Sequence, residues 1–241
     1  MRKSNNHKEK GTNVKRIRKK TDAEVKQDVL AELQSEPGVN IADIGVLVND
    51  GAVTLNGFVP SYGEELGAVR AAKRVAGVTA IANDIEVKLP KSEHRTDGEI
   101  AAAAAERIRS YGTMPAGTVG ITVRQGWITL EGKVEWGYQM ADAQDAVMPV
   151  AGVKGVINLV TVAPKPAKAD VAAAIRSAFE RSAVLDAAKV EVETSGSRVI
   201  LRGKVRNHAE RDEAERASWA APGVSSVDNK LKVAWPWDLA A

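Results

Sequence analysis

Three histidines are the first side chains to consider for acid–base or metal chemistry in this 241-residue sequence. His7 lies near the amino terminus, His94 lies between two patterned segments, and His208 lies at a predicted helix start. No motif spacing places a nucleophile or a set of metal ligands beside any of them. The sequence has no cysteine, which excludes a thiol nucleophile, a thiolate metal site and a disulfide framework. We therefore predict no catalytic residue, no metal site and no cofactor, and a protein that is not an enzyme.

Basic residues are concentrated at the amino terminus. The first twenty residues hold nine Lys or Arg and one Glu, which leaves 25 basic and 30 acidic side chains in the remainder. Large apolar side chains are scarce there, so we predict a disordered basic tail over residues 1–21. Such a tail can contact nucleic-acid phosphates. The body is acidic and its strand patterns lack paired stacking aromatics, which argues against nucleic acid and makes it the third candidate function.

Four tryptophans are the candidate interface residues. Trp127 alternates with Ile128 and Leu130, so it points away from the core if those two point inward. Trp136 lies at a loop-to-helix junction, and Trp235 and Trp237 lie in an aromatic segment at the end of the chain. One interpretation is that tryptophans fill contacts between repeats. The other is that these four anchor the protein at a membrane–water boundary.

The elements that position these residues come from a pattern that occurs three times. A strand-like alternation begins at a turn residue and ends at a glycine in segments 51–57, 126–132 and 197–203. Twenty residues after each closing glycine comes a second glycine followed by valine, and six residues later an asparagine. The spacing between copies is 75 and then 71 residues for all three markers. The glycines that we assign a structural role are Gly57, Gly77, Gly132, Gly152, Gly203 and Gly223.

Each repeat reads as α-β-β-α-β and predicts an α+β fold. Capping-box patterns begin the helices, the second glycine ends the second helix, and alternating apolar residues mark three strands. The right-handed crossover of the last strand–helix–strand passage puts the second helix on one face of a three-stranded mixed sheet. The first helix has an apolar stripe of its own and should lie beside the second helix on that face. The other face is then open and polar. We predict units over residues 22–89, 97–163 and 168–234, and a carboxy-terminal tail over 235–241.

The triplicated pattern resembles the BON domain. It shares the glycine-bounded Val-Thr-Leu strand, the amphipathic helix, the Gly-Val pair and the closing Asn-containing strand, over residues 22–234. Ser197 departs from the family pattern, which has glycine there. The resemblance implies a non-enzymatic module that binds phospholipid or holds proteins near membranes, linked to osmotic or envelope stress.

We therefore expect a membrane-surface binding or scaffolding protein with anionic phospholipid or envelope proteins as partners. A protein scaffold without lipid binding is the alternative. No apolar run reaches the roughly 20 residues that a membrane span needs. The basic amino terminus lacks the apolar region of a secretory signal, which predicts a cytoplasmic location. The family resemblance implies the periplasm as the second possibility.

Overall fold

The computed structural model describes residues 19–115, 117–163 and 170–234, which form three consecutive units of the same topology. The first unit contains α1 (Asp22–Ser35), β1 (Ile44–Asn49), β2 (Ala52–Val59), α2 (Tyr62–Arg74) and β3 (Ala80–Val87). The second contains α3 (Asp97–Ser110), β4 (Val119–Arg124), β5 (Trp127–Val134), α4 (Gly137–Val147) and β6 (Gly155–Val162). The third contains α5 (Val171–Arg181), β7 (Val190–Ser195), β8 (Arg198–Val205), α6 (His208–Trp219), β9 (Ser226–Asn229) and β10 (Lys232–Val233).

Each unit has a mixed sheet, as the sequence predicted. The first two strands are antiparallel, and the last strand runs parallel to the middle one, so the second helix must serve as the crossover. In the third unit the last strand is interrupted between Asn229 and Lys232, and both pieces pair with β8. The predicted α-β-β-α-β order is confirmed in all three units.

Both helices of a unit cover the same face of its sheet. In the first unit, α1 buries Val25, Val29 and Leu33 completely, and each such side chain contributes roughly 1.5–3 kcal/mol by leaving water. The second helix presents alanines, including Ala68 and Ala72, which let it approach the strands closely. The predicted core face and open face therefore both exist.

Side-chain hydrogen bonds cap the starts of α1 and α2. Thr21 and Glu24 form the reciprocal capping box that the sequence predicted. At α2 the prediction is only half right. The Ser61 hydroxyl accepts the Glu64 N–H at 3.2 Å, but the Glu64 carboxylate accepts the Asn40 N–H at 2.6 Å instead of closing the box. That bond ties the start of α2 to the segment before β1.

The predicted tails lie mostly outside the described residues. Residues 1–18 and 235–241 are among those that the structure does not describe, and Trp235 and Trp237 lie in the second of these segments. The end of the predicted amino-terminal tail belongs to the first unit. The Lys20 ammonium lies 2.6 Å from the Asp28 carboxylate and donates to the Ala76 carbonyl at 3.3 Å. The contacts of the first unit therefore include a residue before Thr21.

The hairpin turn of the first unit is held by the start of α1. The Asp22 carboxylate accepts the N–H groups of Asp50 and Gly51, both at 2.9 Å, where the chain turns with positive φ angles. Asp97 holds the turn at Gln125 and Gly126 in the same way. In the third unit the glycine with positive φ is Gly196, one position before the equivalent of Gly51 and Gly126. Ser197 occupies that equivalent position without a positive φ, so glycine is not required there.

The glycine that ends each repeated pattern meets two constraints at once. Gly57, Gly132 and Gly203 have φ angles of 122°, 151° and 124°. A Cβ at any of them would overlap the carbonyl oxygen of the residue just before the unit's first strand. The glycines that follow the second helices have positive φ angles as well, because each lies in the turn between its helix and the last strand: Gly77, Gly152 and Gly223.

The repeated asparagine fastens the last strand to the second helix. In Asn83, Asn158 and Asn229, the side-chain oxygen accepts the N–H two residues later, at 3.2–3.3 Å. The amide nitrogen donates to the second helix of the same unit. One side chain therefore satisfies a backbone group of the strand and fixes the helix above it.

Replacing Gly132 by alanine should destabilise the protein more than replacing Gly112. Both glycines have positive φ, but only at Gly132 would a Cβ meet backbone, whereas space is open at Gly112. We expect Gly112→Ala to cost about 1 kcal/mol and Gly132→Ala roughly 3 kcal/mol or more in urea unfolding. Equal losses would show that the carbonyl contact does not constrain this position.

Candidate functional site

The three second helices meet at the centre of the molecule in a head-to-tail cycle. The start of α2 lies against unit 2, the start of α4 lies against the end of α6, and the start of α6 lies against the end of α2. The helix-start residues Tyr62, Gly137 and His208 are equivalent in the repeat, since they differ by 75 and 71 positions. We call these contacts the first seam (units 1 and 2), the second seam (units 2 and 3) and the third seam (units 3 and 1).

The first seam is apolar. Tyr62 is only 8% exposed and belongs to the core cluster of unit 2, where Leu66 and Val87 of unit 1 also pack. Burial raises the pKa of the Tyr62 hydroxyl, and a hydrogen bond to the backbone of Val156 opposes that rise. Side chains of unit 1 therefore pack into the core of unit 2.

The second seam pairs a large side chain with a glycine. Trp219, at the end of α6, packs against the core clusters of both unit 2 and unit 3. Its ring and carbonyl lie so close to Gly137 that a Cβ there would overlap them. The sequence interpretation that tryptophans fill contacts between repeats fits Trp219, which was not among the four candidate interface residues.

The third seam is polar. The Asn207 amide donates to the Arg74 carbonyl at 2.9 Å, and the His208 Nε2–H donates to the Thr79 carbonyl at 3.2 Å. The Lys73 ammonium lies 2.7 Å from the Asp212 carboxylate. Lys73 occupies the helix position that Trp219 has in unit 3. The equivalent position is therefore charged in the third seam and aromatic in the second.

Two buried polar side chains support the helix starts at these seams. Gln139 accepts the N–H groups of Glu135 and Trp136 and donates to the Thr113 carbonyl at 2.6 Å. Glu210, at the equivalent position in unit 3, is 2% exposed and is bonded by the backbone and side chain of Arg206. Both groups have partners, as buried polar atoms require.

The open face of the second sheet carries three large apolar side chains. Trp127, Ile157 and Leu159 are 49%, 45% and 54% exposed. The Trp127 ring lies across Gly155, its neighbour on β6, where a Cβ would overlap it. Ile157 and Leu159 continue the row along the same strand, two and four residues further on. We call Trp127, Ile157 and Leu159 the apolar row.

The open faces of the other units differ. In unit 1, Ala52 occupies the position of Trp127. The large exposed apolar side chains of that face are Leu47 and Phe58. The Lys88 ammonium lies 2.9 Å from the centre of the Phe58 ring. Ion pairs cover the face of unit 3: Arg198 with Asp228 at 2.8 Å and Arg202 with Glu193 at 3.1 Å. The predicted open face is largely polar in units 1 and 3 and amphipathic in unit 2.

The candidate tryptophans therefore do not form one site in the described structure. Trp127 points to the open face, as its alternation predicted. Trp136 is half-buried at the start of α4, where its backbone N–H bonds to Gln139. Whether any of the four contacts a partner stays a prediction. The residues that sequence reasoning missed are Tyr62 and Leu66, whose apolar types at helix positions gave no sign of which unit they contact.

Acid–base and metal groups are dispersed over the described residues. In residues 19–115, 117–163 and 170–234, no group of three or more acidic or histidine side chains could hold a metal ion. His94 bonds to the Leu89 carbonyl in the connection after unit 1, and His208 belongs to the third seam. Among the helices of these residues, none is both long enough and apolar enough to cross a membrane.

The fold and its seams define a tandem-repeat protein built from small α+β modules. Three segments, residues 21–88, 96–164 and 167–234, match the BON domain. The chain therefore belongs to the BON domain family, as the repeat pattern predicted. Among curated proteins it is similar to osmotically-inducible protein Y of Escherichia coli (strain K12), with 29% identity over 145 residues, 57% of this chain and 70% of that protein.

Two solved structures are also similar in part. Both are of CdsD, a structural protein of the type III secretion system of Chlamydia trachomatis, one of them of its C-terminal domain. Each is 15% identical and covers 85% of this chain, and the matches span 94% and 90% of those chains, with TM-scores of 0.22 and 0.24. TM-scores this low carry no argument about how the three units are arranged.

A side chain at Gly137 should weaken the second seam, and loss of the indole ring at position 219 should relieve the part of that loss that the ring causes, since the carbonyl of residue 219 also lies against Gly137. We expect Gly137→Ala to destabilise the protein, and the double variant Gly137→Ala with Trp219→Met to show a coupling free energy of about 1–3 kcal/mol. Methionine is the residue that unit 2 carries at this position. Gly98→Ala is the control, because space around that helical glycine is open and alanine favours helix by roughly 0.5–1 kcal/mol. Purely additive effects in urea unfolding would contradict the contact.

The third seam should weaken as the pH falls. Burial lowers the pKa of His208 from its ordinary value of 6.5, against the hydrogen bond to Thr79 and the charge of Asp212, while Lys73 and Arg211 lower it further. Well above pH 6.5 the ring is neutral in both the folded and the unfolded chain, so its full contribution to the free energy of unfolding is present. Below that pH the unfolded chain takes up the proton first, so folded stability is lost.

We expect the free energy of unfolding to fall more steeply between pH 7 and 5 in the natural chain than in His208→Gln. Glutamine keeps an amide donor but does not titrate. Both chains share every other titrating group, so the difference between their pH profiles reports on position 208. Parallel profiles would show that this histidine is not held neutral.

Proposed function

We propose that this chain is a non-enzymatic binding module that acts at membrane surfaces in osmotic or envelope stress. The observation that carries the proposal is the apolar row on the open face of unit 2. Three large apolar side chains, each about half exposed, lie together on a sheet face whose counterparts in the other units are more polar. Such a patch on a surface that is otherwise polar is typical of an interaction site.

The chemistry of this face suits a membrane–water boundary. The indole of Trp127 has an apolar body and a polar edge, a combination that favours the headgroup region of a bilayer. Ile157 and Leu159 extend the apolar area beside it. The exposed basic side chains of Arg124 and Lys133 lie on the same face and can approach lipid phosphates.

The amino-terminal segment adds attraction to anionic lipid. Residues 1–18 hold seven Lys or Arg and one Glu. Basic residues near an anionic surface contribute about 1 kcal/mol each, and the attraction decays within a Debye length. Binding through this segment is therefore sensitive to salt, whereas insertion of the apolar row is less so.

A protein scaffold is the second candidate, and the face of unit 3 favours it. Its alternating Arg198–Asp228 and Arg202–Glu193 pairs present charges of both signs in a fixed pattern. Charge patterns of this kind contribute to partner specificity more than to affinity. A lipid surface has no pattern that would match them.

The stress context rests on the family and on the similarity to osmotically-inducible protein Y. Location in the cell is part of the same proposal. The periplasm, which the family resemblance implies, and the cytoplasm are the two candidate locations. Fractionation of cells that express the natural gene distinguishes the two.

Replacing Trp127 by alanine, the residue of unit 1 at this position, should reduce membrane binding without disturbing the fold. We expect the affinity for anionic vesicles in co-sedimentation to fall roughly five- to tenfold, because a half-exposed indole loses its insertion. Removal of residues 1–18, which leaves Lys20 and its ion pair in place, should abolish most of the salt-sensitive part.

Leu47→Ala is the matched control. Leu47 is 59% exposed on the open face of unit 1, so its loss removes a similar exposed apolar side chain from a different unit. Binding that falls equally in both variants would show general stickiness and not a site on unit 2. If the natural chain does not bind anionic vesicles at low salt, the proposed membrane function is wrong and the protein scaffold is the remaining candidate.

A further inference from the structure

The apolar contacts between units run along the chain but do not close the cycle. Tyr62 and Leu66 join unit 1 to the core of unit 2, and Trp219 joins the cores of units 2 and 3. Among the described residues, the core cluster of unit 1 contains no side chain of unit 3, and that of unit 3 contains none of unit 1. The core clusters therefore join consecutive units and do not join units 3 and 1.

The third seam also contains a solvent-accessible cavity, whose surface is largely apolar although most of the residues that line it are charged. A cavity of about 450 Å³ lies between α2 and α6. Its lining includes four basic side chains, Arg70, Lys73, Arg74 and Arg216, and two acidic ones, Asp212 and Glu213. Water and ions have access to such a cavity, so the charges beside it are screened by salt.

The polar contacts of this seam include the Lys73–Asp212 ion pair and the hydrogen bonds from Asn207 and His208 to backbone carbonyls. The ion-pair side chains are 34% and 46% exposed. An ion pair this exposed contributes little in water and less at high salt.

Chain connectivity adds no direct link at this seam. Units 1 and 3 are separated by the whole of unit 2 in the sequence, whereas the other two seams join consecutive units. Loss of the third seam therefore leaves both apolar seams and all three cores intact.

We infer that the third seam is a reversible latch that ionic strength controls. At low salt the latch closes the three units into a cycle. At high salt the contact between α2 and α6 separates, and the molecule becomes an open row of three units. Opening exposes the end of α2 and the start of α6, surfaces that are covered in the closed molecule.

The absence of cysteine makes the latch measurable in the full chain by paired spin labels. Gln27 in α1 and Thr194 in β7 are exposed, and cysteines there report the distance between units 1 and 3. Gln27 with Thr122, exposed in β4, reports the distance across the apolar first seam. Pulsed electron–electron double resonance measures the distance within each label pair between about 20 mM and 1 M salt.

We expect the distance between units 1 and 3 to be single at low salt and to gain a longer component as salt rises. The distance between units 1 and 2 should stay constant. Screening of the ion pair should change the open-to-closed ratio roughly fivefold.

Charge variants separate the latch from general unfolding. Asp212→Lys should open the latch at low salt, and the exchanged pair Lys73→Glu with Asp212→Lys should close it again. The inference would be overturned if the distance between units 1 and 3 changed neither with salt nor in the Asp212→Lys variant. A parallel change in both label pairs would overturn it as well, because that would show the whole chain loosening and not one seam.

Discussion

The second helix of each unit is packed from two sides, against its own sheet and against the next unit. Its sheet side is rich in alanine, which brings the helix close enough for the unit's asparagine to reach it. Its ends are then in place to contact neighbouring units. A unit of about 67 residues lies near the lower limit at which one core suffices, so contacts between units add stability that each unit lacks alone.

The three seams use equivalent positions with different chemistry. A buried tyrosine, a tryptophan over glycine, and a histidine with an ion pair occupy corresponding places in the cycle. Exchanging partners would set Trp219 against a large helix-start residue, or Lys73 against an apolar core. Such mismatches exclude wrong pairings as firmly as the correct contacts favour right ones. Divergence of the repeats therefore fixes the order in which the units dock.

Most of the architecture was readable from the sequence, because it rests on local rules. The spacing of glycines and the alternation of apolar residues predicted three α-β-β-α-β units, and alternation placed Trp127 on the open face. The contacts between units were not readable. Tyr62 and Trp219 have no local pattern that indicates a distant partner, and the capping pattern from Asn207 to Glu210 does not show that the Glu210 carboxylate is buried and bonded to Arg206. Packing between repeats depends on shape across the chain, which the period of one helix does not encode.

The interruption in the last strand of unit 3 affects how the molecule meets other chains. β3 and β6 each present eight continuous residues at the edge of a sheet, whereas β9 and β10 present four and two. An uninterrupted edge is a template on which a foreign strand can add, and it is a route to aggregation. The break removes that template from one edge of the carboxy-terminal unit, whose other edge strand is β7. Any strand that joins this molecule along a crossover-strand edge would therefore extend the sheet of the first or second unit.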